Sequence, residues 1–89
     1  MLNEVMLVGT LIAGPIELFN PHGNFTHAIV VHLDDDNVFP VHVWKDIADV
    51  IPQHRGDMVG IKGHLMLCGG DIGIGIGAER VSFITAETE

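Results

Sequence analysis

The sequence predicts an all-β protein, five strands closed into one small barrel with a short helix between strands three and four. Three observations predict it. Apolar and polar residues alternate in short, evenly spaced runs, as strands with one face in a core require. Only one stretch, carrying Ile47, Val50 and Ile51, has helical spacing. The chain is 89 residues long, enough for one core and no second one. The expected organisation is a single domain over residues 1–85, with 86–89 a short polar end that frays.

Each element follows from its residues. Val5–Leu11 reads as strand one, with Gly9 marking a bend or bulge. Ala13, Gly14 and Pro15 break it, and Ile16–Phe19 is a short extended piece. Residues 20–24, with Pro21 and Gly23, form a turn. Strand two is Phe25–Leu33, where Phe25, His27, Ile29, Val31 and Leu33 alternate with Thr26, Ala28, Val30 and His32. The acidic run Asp34–Asn37 is short enough only for a hairpin. Strand three is Asn37–Trp44: Phe39, Val41 and Val43 share one face, and Val38, Pro40, His42 and Trp44 the other. A helix follows, limited by Pro52. Asp57–Leu67 is strand four, Cys68–Asp71 a glycine-rich hairpin turn, and Ile72–Gly77 with Val81–Ile84 a long last strand. Three strands, a helix and two more strands is the element order of an oligonucleotide/oligosaccharide-binding (OB) fold. A five-stranded SH3-like barrel is the structural competitor, though it usually lacks a helix at that point.

Composition narrows the function. The chain is 47% hydrophobic, with mean hydropathy +0.37. A barrel of this size has a thin core, so surplus apolar surface is expected in a subunit interface. No apolar run reaches the roughly 18 residues of a membrane span, and the start lacks the basic and apolar regions of a secretory signal. Cys68 is the only cysteine, so no intrachain disulfide can form, which fits a reducing cytoplasm. Four Lys and Arg face twelve Asp and Glu, for a net charge of −8. Protonating all six His would bring this only to −2. Phosphate contacts need cations, so this balance argues against tight, salt-resistant DNA binding.

Several stretches, in order, resemble the bacterial single-stranded DNA-binding protein family, whose smaller primosomal PriB-like branch is nearest in size. Residues 3–11 (NEVMLVGTL) look like its opening strand, and residues 23–30 (GNFTHAIV) are similar to its second strand after a Gly-containing turn. Val41–Lys45 with Ala48 looks like its junction between strand three and the helix. Gly56–Leu65 is similar to its "G-x-x-V-x-x-x-G-x-L" strand. Together these cover most of the chain; each alone is weak. The resemblance implies an OB fold, a cytoplasmic homo-oligomer (dimer or tetramer), and sequence-tolerant single-stranded DNA binding in replication, recombination or repair, with replication or repair proteins as further partners. It puts Trp44 in the place of a base-stacking aromatic and Lys45 and Lys62 where cations reach phosphates. Val38 and Leu33 fall at or near positions where some members carry further aromatics, so those sites are weakened or lost. The chain departs from the family in its short connections at Asp34–Asn37 and Cys68–Asp71, and the acidic-tipped tail of family members does not follow Ile84.

The residues themselves give each candidate two readings. Trp44 either covers a core edge or stacks a base, an interaction worth about 1–3 kcal/mol. His42, two residues away, is the best secondary contact, and Phe19, near a turn, is a further candidate. Phe25, Phe39 and Phe83 share the parity of core residues, and His27 reads as a satisfied buried or interface histidine. One Cys and scattered His do not make a metal site. The alternating Gly and Ile of residues 72–77 lack the strand–helix context of a dinucleotide site; they place Ile on one face and bare backbone on the other, which permits close approach by another strand or subunit. Asp34–Asp36 reads as a solvated, repulsive turn. No catalytic constellation is defensible, so neither an enzyme nor a cofactor is expected. The alternative to nucleic-acid binding is an acidic OB-fold protein-interaction module with little or no DNA binding.

Overall fold

One strand, β1 (Val5–His22), holds the architecture together by pairing along both edges. The computed structural model describes residues 3–33, 37–68 and 73–84. After β1 come β2 (Phe25–His32), β3 (Val38–Val43), α1 (Lys45–His54), β4 (Met58–Cys68) and β5 (Gly73–Ile84). The strands close in the order β1-β2-β3-β5-β4, with all neighbours antiparallel except the parallel β3–β5 pair. The five-stranded barrel with a helix after β3 is the fold expected from the sequence.

The strand predicted to break at Ala13–Pro15 does not break. Its first part, Val5–Thr10, pairs with β4, and Thr10 onward pairs with β2. The β2 register steps from Ala13↔Val30 to Ile16↔Ala28, so Gly14 and Pro15 are skipped and the missing N–H of proline costs no ladder bond. Gly14 has φ +118, which suits glycine. Gly9, where the sequence suggested a bend or bulge, stays in register with Val59 of β4 and lies hard against β2. A Cβ there would lie 2.5 Å from the His32 carbonyl oxygen, so only glycine lets β1 cross this close to β2. The turn expected over residues 20–24 is tighter: Gly23 and Asn24 form it, and His22 already pairs with Phe25.

The core contains Leu11, Ile29, Val31, Val41, Val43, Val59, Ile61 and Ile76 from the strands, and α1 closes it with Ala48 and Ile51. Pro52 lies inside α1 and does not end it as expected. Tertiary bonds hold the last turn instead: Gly56 N–H donates to the Leu11 carbonyl at 2.8 Å, and Leu11 N–H donates to the Asp57 carbonyl at 3.0 Å. Phe83 packs against the core and stacks on His54, with centroids 3.9 Å apart. Phe39 departs from its predicted core parity. The first three residues of β3 are exposed, although Phe39 pairs with the buried Val31 of β2. Phe25 is only half-buried and stands outside the core cluster.

The hairpin after β2 is closed by Leu33 N–H donating to the Asn37 carbonyl at 2.7 Å. The acidic turn at Asp34–Asp36, the tip at residues 69–72 and the polar end at 86–89 lie outside the described residues. Among the described residues, no helix is long and apolar enough to cross a membrane.

Ile51 is fully buried where the helix plugs the barrel. Ile51→Ala should destabilise the fold by about 2–5 kcal/mol, read from the denaturant midpoint. Val38→Ala, at an exposed position, should stay within about 0.5 kcal/mol.

Candidate nucleic-acid interface

The parallel seam between β3 and β5 is short, with only Val41↔Ile76 and His42↔Gly77 in register. Immediately beyond it, the β4–β5 register jumps from Lys62↔Arg80 to Gly63↔Ala78, which leaves Glu79 as an extra, outbulged residue. A cleft of about 530 Å³ opens here. The start of β2 contributes Asn24, Phe25 and Thr26 to its lining. The start of α1 contributes Trp44, Lys45 and Asp46, and the β5 bulge contributes Ala78 and Glu79.

Trp44 does both jobs the sequence left open. It packs partly against the core and also lines the cleft. Its backbone is extended (φ −94, ψ 171), and its carbonyl accepts the first helical bond from Ala48 N–H at 3.0 Å. The strand-to-helix switch therefore fixes the indole at the helix start. Lys45 and Asp46 follow on the first turn and so reach the same cleft.

The remaining candidates are dispersed. His42 is not in the cleft wall. Its ring lies 6.4 Å from Phe25, so it backs a ring that is. His64 lies on the other side of Phe25 at 6.3 Å, with its Nδ1 4.0 Å from a Glu79 carboxylate oxygen. Phe19 is 96% exposed, in the stretch of β1 whose register with β2 shifts between Glu17↔His27 and His22↔Phe25. Lys62 lies away from the cleft, on the outer face of β4 between Met6 and Arg80.

Both candidate lysines already have carboxylate partners. Lys45 Nζ is 3.2 Å from Asp49, and Lys62 Nζ is 3.1 Å from Glu4. An acidic chain thus supplies a carboxylate within reach of each candidate lysine. Both pairs are solvent-exposed, and such pairs contribute about 0–1 kcal/mol, so a phosphate can displace the carboxylate at little cost.

Phe25 is the cleft residue that sequence reasoning missed, because alternation put it on the core side. The signal was in the Gly/Ile run. A Cβ on Gly77 would lie 2.8 Å from both Phe25 Cζ and Met66 Sδ. The bare backbone of Gly77 is what Phe25 and Met66 cover, so this close approach is used within the chain. Asn24 and Thr26 were not singled out within the residue 23–30 motif, and Asp46 and Glu79 carried none; all four reach the cleft only through the fold.

No family model matches the sequence, and no curated protein does. Solved structures do match. An OBody, NL8, bound to hen egg-white lysozyme, aligns with a TM-score of 0.63 at 19% identity, over 94% of this chain and 96% of that one. The wild-type single-stranded DNA-binding protein of Thermus aquaticus gives 0.67 at 22% identity over 99% of this chain, which spans only 43% of that longer protein. Rim1, a mitochondrial single-stranded DNA-binding protein of S. cerevisiae, gives 0.59 at 10% identity, over 98% of both chains. At these identities the likeness establishes a shared fold, the OB barrel.

An indole that lines an open cleft is reachable from solvent. Acrylamide should therefore quench the intrinsic fluorescence of this single-tryptophan chain in its native state. A Stern–Volmer slope as low as that of a sealed indole would contradict the cleft geometry.

Proposed function

We propose that the protein binds single-stranded DNA with little sequence preference along most of the strand, in replication, recombination or repair in the cytoplasm. The observation that carries this reading is Trp44, half-buried but lining an open cleft with a second ring, Phe25, on an OB barrel similar to those of two single-stranded DNA-binding proteins. One base stacks on Trp44, Phe19 offers a second platform, and His42 supports Phe25 from behind. Lys45 exchanges Asp49 for a phosphate, and Lys62 with neighbouring Arg80 holds the strand further round the barrel. Stacking supplies most of the affinity, because the cations are few.

In a low-salt anisotropy titration with a labelled mixed-sequence oligonucleotide, Trp44→Ala should weaken binding by about 1–3 kcal/mol, roughly 5- to 150-fold. Engaging three cations predicts a shallow log–log salt slope, about −2. Negligible binding by both wild type and variant would end this reading.

A second surface, away from the cleft, supports self-association. On the outer face of β1, β4 and β5, Met6 and Val8 are 77% and 61% exposed, and Met58 and Ile84 are about half exposed. The registers place Val8 beside Gly60, and Met58 between Thr10 and Ile84, so these side chains share one face. This face also carries Lys62 and Arg80, two of the chain's four cations, next to Glu4. A second copy related by a two-fold axis can bury the apolar residues there with Lys62 and Arg80 left at its rim for the strand, whereas elsewhere the net −8 repels it. Light scattering should show a dimer or tetramer at micromolar concentration, and Val8→Glu should shift it to monomer. A wild-type monomer would contradict the assignment.

A second reading is favoured by the charge and by the OBody, an OB barrel that holds a protein. In it the acidic barrel docks a basic protein partner. A nuclease-resistant protein partner recovered at moderate salt, with no DNA binding, would favour this reading.

A further inference from the structure

Two carboxylates border the aromatic cleft, Asp46 on the first turn of α1 and Glu79 at the β5 bulge. For a site that holds only phosphate and sugar, this placement is adverse, since carboxylates repel phosphate at the point where the strand must approach. It becomes favourable if the carboxylate accepts hydrogen bonds from a base edge. The two acids are not equivalent. Glu79 lies 4.0 Å from His64 Nδ1. Asp46 is exposed, and among the described residues it has no hydrogen-bond or ion-pair partner.

We propose that the cleft is a guanine-selecting subsite, with a base stacked on Trp44 and its Watson–Crick edge turned to the Asp46 carboxylate. The proposal rests on the strand-binding reading above. Guanine presents two adjacent donors, N1–H and the N2 amine, which match the two oxygens of one carboxylate. Thymine offers one N–H between two carbonyls, and those carbonyls would face the carboxylate oxygens. Cytosine and adenine each offer one amine beside a ring-nitrogen acceptor, so one contact is gained and one is repulsive. The cleft volume of about 530 Å³ is within the range of small-ligand pockets and ample for a purine. Lys45, on the same turn, is placed for the adjoining phosphate. Selection then works without a basic surface: the acidic group that weakens phosphate binding is the group that reads the base. The rest of the strand remains sequence-tolerant.

The test uses labelled nonanucleotides d(TTTTXTTTT), with X as G, T, C, A, inosine or 7-deazaguanine, titrated at low salt by anisotropy. X = G should bind at least about fivefold tighter than X = T. The advantage should survive in 7-deazaguanine, which keeps the Watson–Crick edge, and fall in inosine, which lacks the N2 amine. Asp46→Asn should bring the G/T ratio close to one while leaving or improving all-T binding, with circular dichroism confirming the fold. Glu79→Gln should retain the ratio. Measurable binding that is equal for all X overturns the selectivity and leaves strand binding standing. Loss of the ratio in Glu79→Gln but not in Asp46→Asn overturns the role given to Asp46. No binding to any oligonucleotide overturns both the selectivity and the strand-binding reading beneath it.

Discussion

The whole structure depends on β1 being hydrogen-bonded along both of its edges. Thr10 is the pivot, with His32 across one edge and Met58 across the other. A straight strand cannot serve two partners that diverge in direction. Gly9 lets the chain pass against the His32 carbonyl, and Gly14 turns it again at positive φ. Once β1 is bent in this way the sheet closes into a barrel. The same bend places Leu11 at the helix end, where its N–H and carbonyl hold Asp57 and Gly56. Barrel closure and helix docking therefore share Leu11.

Closure also decides where a ligand can enter. The seam joining β3 to β5 is the shortest pairing of the barrel. Phe25 and Met66 fill the space left by the absent side chain of Gly77. The helix start and the bulge at Glu79 flank this point, so backbone irregularity and aromatic surface coincide. Residues from three separate elements meet there because the barrel brings their ends together.

Electrostatics set the character of that site. In a chain of net charge −8, both lysines proposed for strand binding are held by carboxylates. In the proposed strand binding, attraction to a polyanion is therefore a minor term. The favourable contributions left are ring stacking and hydrogen bonds to base edges. Neither depends on net charge, and the second is helped by an acidic acceptor.

By itself, the sequence determined the number, type and order of the elements. Alternation along residues 25–33 and 57–67 and helical spacing at Ile47, Val50 and Ile51 are local signals, set by how side chains project from each backbone type. It also singled out Trp44, because one indole at a strand-to-helix junction is conspicuous. The continuity of β1 through Pro15 and of α1 through Pro52 was not legible, since distant partners decide whether a missing N–H costs anything. Nor was the makeup of the cleft. Phe25 follows core parity yet covers Gly77, and Asp46 and Glu79 look like ordinary surface acids. Their meeting depends on register, on one bulge and on barrel closure, which are relations between segments far apart in the chain and are fixed only when the sheet closes.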